Sequence, residues 1–165
     1  MHSFIDTLSR IISCHHRIAI LGIGNELMGD DGLGVLAARR LSTVIKDNPN
    51  ILVLECGTTP ESFTSIILDF RPDLIIVVDA VDFGGSPGSA AIFDASILDR
   101  VSISTHKPSL GIMAKYLEMN GVKVCMVVLA IQPRSVEFHR GLSEDVEESM
   151  NLILEYLVKM LNSKV

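Results

Sequence analysis

A chain of 165 residues, 48% of them hydrophobic, is long enough to bury one core without disulfides or a structural metal and reads as a single domain, residues 1–165. Twenty acidic against fourteen basic residues leave a net charge of −6 with no Lys/Arg block, which disfavours binding along a nucleic-acid backbone, and an aromatic content of 5% without Trp disfavours base stacking. The same sign suits a cationic partner or a metal.

Residues 1–17 place Phe4, Ile5, Leu8, Ile11 and Ile12 around Asp6 and Arg10, so an amphipathic helix is expected there, neither a signal peptide nor a membrane span. The following residues 17–23 (RIAILGI) read as a buried strand, and residues 35–45 (VLAARRLSTVI) as a helix. The loop between them, GNELMGDDG, therefore lies at the carboxyl end of a strand, where ligand sites of open α/β sheets form. Asp30 is expected to cap the helix against the positive end of its dipole. Its neighbour Asp31 points about 100° further round and is left to face the crevice.

Residues 51–55 (ILVLE) form the next strand, and Thr59, Pro60 and Glu61 mark the start of a helix with Phe63, Ile66, Ile67 and Phe70 on one face. The most apolar run, 74–78 (LIIVV), is expected to be central, and it leads directly into Asp79. A turn-rich stretch, 83–88, precedes a short strand at 90–93, which a tight reversal would place as an antiparallel edge. His106 stands just before a helix whose buried face is Leu110, Met113 and Leu117, stopped by Asn120-Gly121. Residues 122–131 are the last strand. Ser143 is expected to cap a final helix with the stripe Val146, Met150, Ile153, Leu157 and Leu161. The alternation predicts an α/β, three-layer domain with a mostly parallel twisted sheet of about five strands, flanked by helices on both faces. A mean hydropathy of +0.40 fits strands buried on both sides.

Asp31, Asp79 and His106 all fall at carboxyl ends of successive elements and so share one rim. Two carboxylates and an imidazole suit a borderline divalent metal such as Ni²⁺ or Zn²⁺ with positions left open. A purely structural account stays open too: Asp30 and Asp31 as caps, Asp79 and Asp82 as turn acceptors, and His106 as an ordinary helix-start residue. Ending a buried strand on Asp79 favours the metal set, since a charge there needs a partner. Gly22-x-Gly24 hints at a nucleotide-binding module, but Leu27 stands where its third glycine belongs, and Asp30 and Asp31 would repel a pyrophosphate. Cys14-His15-His16 has the composition of a metal tract, but at a boundary between an amphipathic helix and a strand His is unremarkable, and coincidence is the favoured reading. Serine-hydrolase and zincin signatures are absent. Cys14, Cys56 and Cys125 are odd in number and without C-x-x-C spacing, which points to reduced thiols and a cytoplasmic setting, with Cys56 packed rather than nucleophilic. Gln132-Pro133 closes the last strand and offers the rim one amide.

The ordered motifs Gly24-Asn25-x-x-x-Gly29-Asp30-Asp31-Gly32-x-Gly34, Asp79-Ala80-x-Asp82-x-Gly84-x-x-Pro87-Gly88, Thr105-His106 and Ile131-Gln132-Pro133 resemble the nickel-iron hydrogenase maturation endopeptidases. The likeness runs from about Arg17 to the C-terminal helix, leaving residues 1–16 as an N-terminal helical extension. It implies a phosphorylase/hydrolase-like fold and a hydrolase described as an aspartyl-type endopeptidase. Its substrate would be a hydrogenase large-subunit precursor, from which it removes a short C-terminal peptide once nickel is in place. Carried over by motif, Asp31, Asp79 and His106 are the residues that contact the metal and carry the reaction. The Ni²⁺ would arrive with the precursor, and no tightly held metal, nucleic acid or membrane insertion is expected of what would be a monomer. Asp82 is left as a base, as a partner of the ligands or as a turn acceptor. The rival of another class is a chaperone that tests nickel loading without cutting.

Overall fold

The computed structural model describes residues 2–45, 48–95 and 107–163. A five-stranded sheet runs in the order β2 (Ile51–Gly57), β1 (Ile18–Ile23), β3 (Leu74–Ala80), β5 (Cys125–Ile131), β4 (Ala90–Asp94). The first four are mutually parallel; Ile18 lies opposite both Ile51 and Leu74, and Leu74 opposite Cys125. Every residue of β1 and of β3 is buried, which is why those strands read as unbroken apolar runs rather than as alternating ones.

Alternation along the strands divides the core in two. Ile18, Ile20, Leu74, Ile76, Val78, Val127, Leu129 and Ile131 face the layer made by α1 (His2–Ser13), α2 (Leu33–Val44) and α5 (Glu144–Asn162). Ala19, Leu21, Ile23, Ile75, Val77, Met126, Val128 and Ala130 face α3 (Thr64–Phe70) and α4 (Lys107–Met119). The α/β three-layer architecture expected from the alternation is what forms. The N-terminal segment is the expected amphipathic helix: Leu8 and Ile12 are wholly buried in the first cluster. Its exit is tied to the sheet by Asp73, whose carboxylate accepts from the amides of His16 (2.8 Å) and Arg17 (2.9 Å). Among the described residues no helix is long and apolar enough to cross a membrane.

Three local expectations change. The 90–93 strand is an antiparallel edge, but its partner is β5, with Ala90 opposite Ile131, and not β3 across a tight reversal. The seven-residue run of β5 buries six of its residues and so takes the inner place beside β3, whereas β4 is only partly buried and suits an edge. The helix after β2 opens as a 3-10 turn over Pro60–Phe63, which advances about 120° per residue instead of 100°. Within α3 the buried side centres on Ile67, with Phe63 and Phe70 packed beside it, and Ile66 is 49% exposed. Thr59 stands ahead of that turn without a side-chain cap bond.

Candidate active site

Asp31 and Asp79 belong to the carboxyl ends of β1 and β3, the neighbouring central strands between which the chain's winding reverses direction. In open α/β sheets this is where a crevice forms. Two glycines make the local geometry possible. A Cβ on Gly34 would lie 2.2 Å from the carbonyl oxygens of both Ile23 and Val78, so α2 can begin directly above the ends of β1 and β3 only if that residue has no side chain. Gly24 has φ +134°, and a Cβ there would meet the Asp31 carbonyl oxygen at 1.7 Å. The loop is thus folded back on itself, and the Asn25 amide donates to Asp31 Oδ2 at 2.8 Å.

Asp31 is half-buried, and Asp79 is 1% exposed. Asp79 lies opposite Ala130 and follows Ile75 and Val77 in alternation, so it belongs to the face covered by α3 and α4. Leu110, Met113 and Leu117 seat α4 on that same face, as expected, and α4 begins at Lys107. His106, the third member of the predicted set, lies outside the described residues. Among the described residues, accordingly, no group of three His, Cys, Asp or Glu is arranged to hold a metal.

Asp30 does something other than cap. It lies inside a 3-10 turn, Gly29–Gly32, and α2 has no side-chain cap. It is fully buried, and its carboxylate accepts from the amides of Arg134 (2.8 Å), Ser135 (3.0 Å) and Ser143 (2.6 Å) and from the Ser143 hydroxyl (2.9 Å). The Gly29 and Asp30 amides return bonds to the carbonyls of His139 and Ser135. One acid therefore staples the loop carrying Asp31 to the segment between β5 and α5. Ser143 does occupy the N-cap position of α5, but its hydroxyl is spent on Asp30. The sequence reading missed this role, and its only signal was the acidic doublet itself, where capping explains one acid and not two.

Gln132, 7% exposed, is a second fastening. Its Oε1 accepts from the amides of Phe83 (2.9 Å) and Gly85 (3.1 Å), and its Nε2 donates to Asp82 Oδ1 (3.0 Å), which also accepts from the Gly84 amide. The Gln132 amide and that turn hold Asp82 below the usual carboxylate range, which makes it a weaker base and leaves it as the acceptor of an Asx turn. Replacing Gln132 by Leu should cost about 1–3 kcal/mol, because two amides in the turn after Asp79 lose their acceptor. Denaturant titration measures this, and an unchanged midpoint would remove Gln132 from the turn's support.

Cys56 is packed in the second core cluster, and burial pushes its thiol up to about 12. A thiol so placed is not a nucleophile at neutral pH. Exhaustive alkylation of the native protein should reach the exposed Cys14 and Cys125 and leave processing intact, as a labelling experiment followed by an activity assay would show. His15 of the Cys14-His15-His16 tract is engaged through Nδ1 with the Ile11 carbonyl oxygen at 2.7 Å, closing α1 rather than forming a metal tract.

Comparison with known proteins decides the family. The sequence model of HycI, hydrogenase maturation protease, matches residues 35–160. This chain belongs to the hydrogenase maturation protease family. It is a hydrolase of the endopeptidase kind, which removes the non-catalytic chaperone and the nucleotide-binding module as readings. The hydrogenase 3 maturation protease of Escherichia coli K12 is 30% identical over 139 residues, covering 84% of this chain and 86% of that protein. A putative hydrogenase maturation protease of Methanocaldococcus jannaschii is 28% identical over 160 residues, 93% of each. Among solved structures, the [NiFe] hydrogenase maturation protease HycI from Thermococcus kodakarensis superposes with a TM-score of 0.85 at 36% identity, covering 94% of this chain and 99% of that one. The hydrogenase maturating endopeptidase HybD of E. coli superposes at 0.77 with 26% identity, covering 89% and 93%. The hydrogenase maturation protease fold is thus the fold predicted from the strand and helix alternation.

Proposed function

We propose that this protease removes a short C-terminal peptide from a hydrogenase large-subunit precursor that already carries nickel, and that Asp31, Asp79 and His106 contact that nickel. The observation carrying the proposal is the pair of acids at the carboxyl ends of β1 and β3. One is half-buried and held by the Asn25 amide, and the other is 1% exposed at the end of an apolar strand. Together they set two carboxylates at one rim of the sheet, where hard oxygen donors can meet a cation. Two carboxylates and an imidazole offer hard oxygen and borderline nitrogen donors without a thiolate, a set that accepts nickel from a partner without holding it tightly. The substrate's nickel can then polarise the scissile carbonyl or lower the pKa of an attacking water, while Asp31 and Asp79 orient the metal and accept a proton. An aspartyl-type label fits the second task. Asp82, held as a weak base by Gln132, is left out of it.

On this reading the metal is a checkpoint belonging to the substrate. Purified protein treated with chelator and desalted should cleave nickel-loaded precursor at full rate and leave nickel-free precursor intact, with product mass read by mass spectrometry. Rapid cleavage of nickel-free precursor by zinc-loaded protein, lost when that zinc is stripped, would make it an ordinary metalloprotease. No cleavage of any precursor would sink the C-terminal processing reading.

A further inference from the structure

A cleft of about 580 Å³ opens beside the loop that carries Asp31, on the side of β2 and α2. Neither Asp31 nor Asp79 lines it. Its near wall is Gly24 and Asn25, whose amide is the one bonded to Asp31, and its far wall is Gly57 and Thr58 at the end of β2 with Arg140 and Gly141 from the segment stapled by Asp30. Leu27, 42% exposed, and the first turn of α2 supply an apolar side. The described site residues make no use of this space.

Building on the proposed processing of a precursor, we infer that this cleft receives the tail to be removed, as a short stretch of extended chain running away from the scissile bond. Three features select that occupant. The volume lies within the range of about 300–1,000 Å³ that encloses small ligands, enough for a few residues and far too small for a folded body. The cleft adjoins Asp31, because Asn25, whose backbone amide holds that carboxylate, is part of its wall. Its lining mixes an apolar side with uncovered backbone and two opposite charges. Glu26 accepts from Arg39 through both carboxylate oxygens, at 2.7 and 3.0 Å, which leaves Arg140 as the charged group of the lining with no ion pair among the described residues. A Cβ added at Gly57 or Gly141 would meet nothing within 4 Å, so these walls leave room for an occupant's side chains.

Thr58 is exposed, so Thr58→Trp can narrow the cleft without touching the core or the acids. Arg140→Ala removes one of its charges. With the host's nickel-loaded precursor, each variant should raise KM by about tenfold while kcat stays within about twofold and the melting temperature is unchanged. A precursor whose tail is shortened to two residues should be processed equally by wild type and Thr58→Trp. Wild-type KM in both variants, or the same penalty on full and shortened tails, overturns the assignment. If wild-type protein processes no precursor, the proposed function fails first. Titration with a synthetic tail peptide then decides the cleft by itself: binding to wild type and not to Thr58→Trp supports it, and no binding to either overturns it.

Discussion

Asp79→Asn is expected to abolish processing of nickel-loaded precursor, with a loss of about 10³-fold or more in kcat/KM, and Asp31→Asn is expected to do the same. The substitution keeps the size of each side chain and removes the negative oxygen pair that a cation requires. Asp79 is 1% exposed opposite Ala130 at the carboxyl end of β3, and asparagine fills the same space there, so the melting temperature should change little. At Asp31 the amide oxygen can still accept from Asn25, so the loop keeps its fold while losing its chemistry. Gel-shift processing assays beside thermal melts separate the two effects. Near-wild-type cleavage by either variant removes that residue from the site, and a collapse in stability of Asp79→Asn would turn it into a structural acid.

Asp30→Ala should be the most destabilising change among the acids, by about 3–5 kcal/mol, or on the order of 10 °C in melting temperature for a chain of this size. Its carboxylate is the acceptor for three backbone amides and one hydroxyl at zero exposure, and alanine removes the acceptor from all four donors at once. Loss of a mere helix cap would cost only about 0.5–2 kcal/mol. Urea denaturation at neutral pH distinguishes the two figures. Ser143→Ala removes one bond of the four and should cost about 1 kcal/mol, so equal effects from Ser143→Ala and Asp30→Ala would contradict the staple.

The place of the candidate acids was legible in part because Asp79 follows a buried apolar run and the acidic doublet follows the first strand. The close backbone approaches at Gly24 and Gly34 emerged only from the structure. What Asp30 bonds to could not be read, because Arg134 and Ser143 lie 104 and 113 residues further along the chain. No local pattern links such residues. The same holds for Gln132, whose partner Asp82 is 50 residues away.

Sequence by itself determined the strands, the helices and the three-layer class, since hydrophobic period is a property of neighbouring residues. It also determined that Asp79 stands at the end of β3 and that Asp31 lies in the loop after β1, because strand ends follow from where an apolar run stops. Only the tertiary structure decided that β4 pairs with β5, that Ile66 turns outward, and that Asp30 is a staple rather than a cap. Each of these depends on competition for space or hydrogen bonds between distant segments. β5 takes the inner place by burying more apolar surface, Ile67 rather than Ile66 takes the buried side of α3, and amides arriving from the far end of the chain claim a carboxylate that the near helix leaves unused.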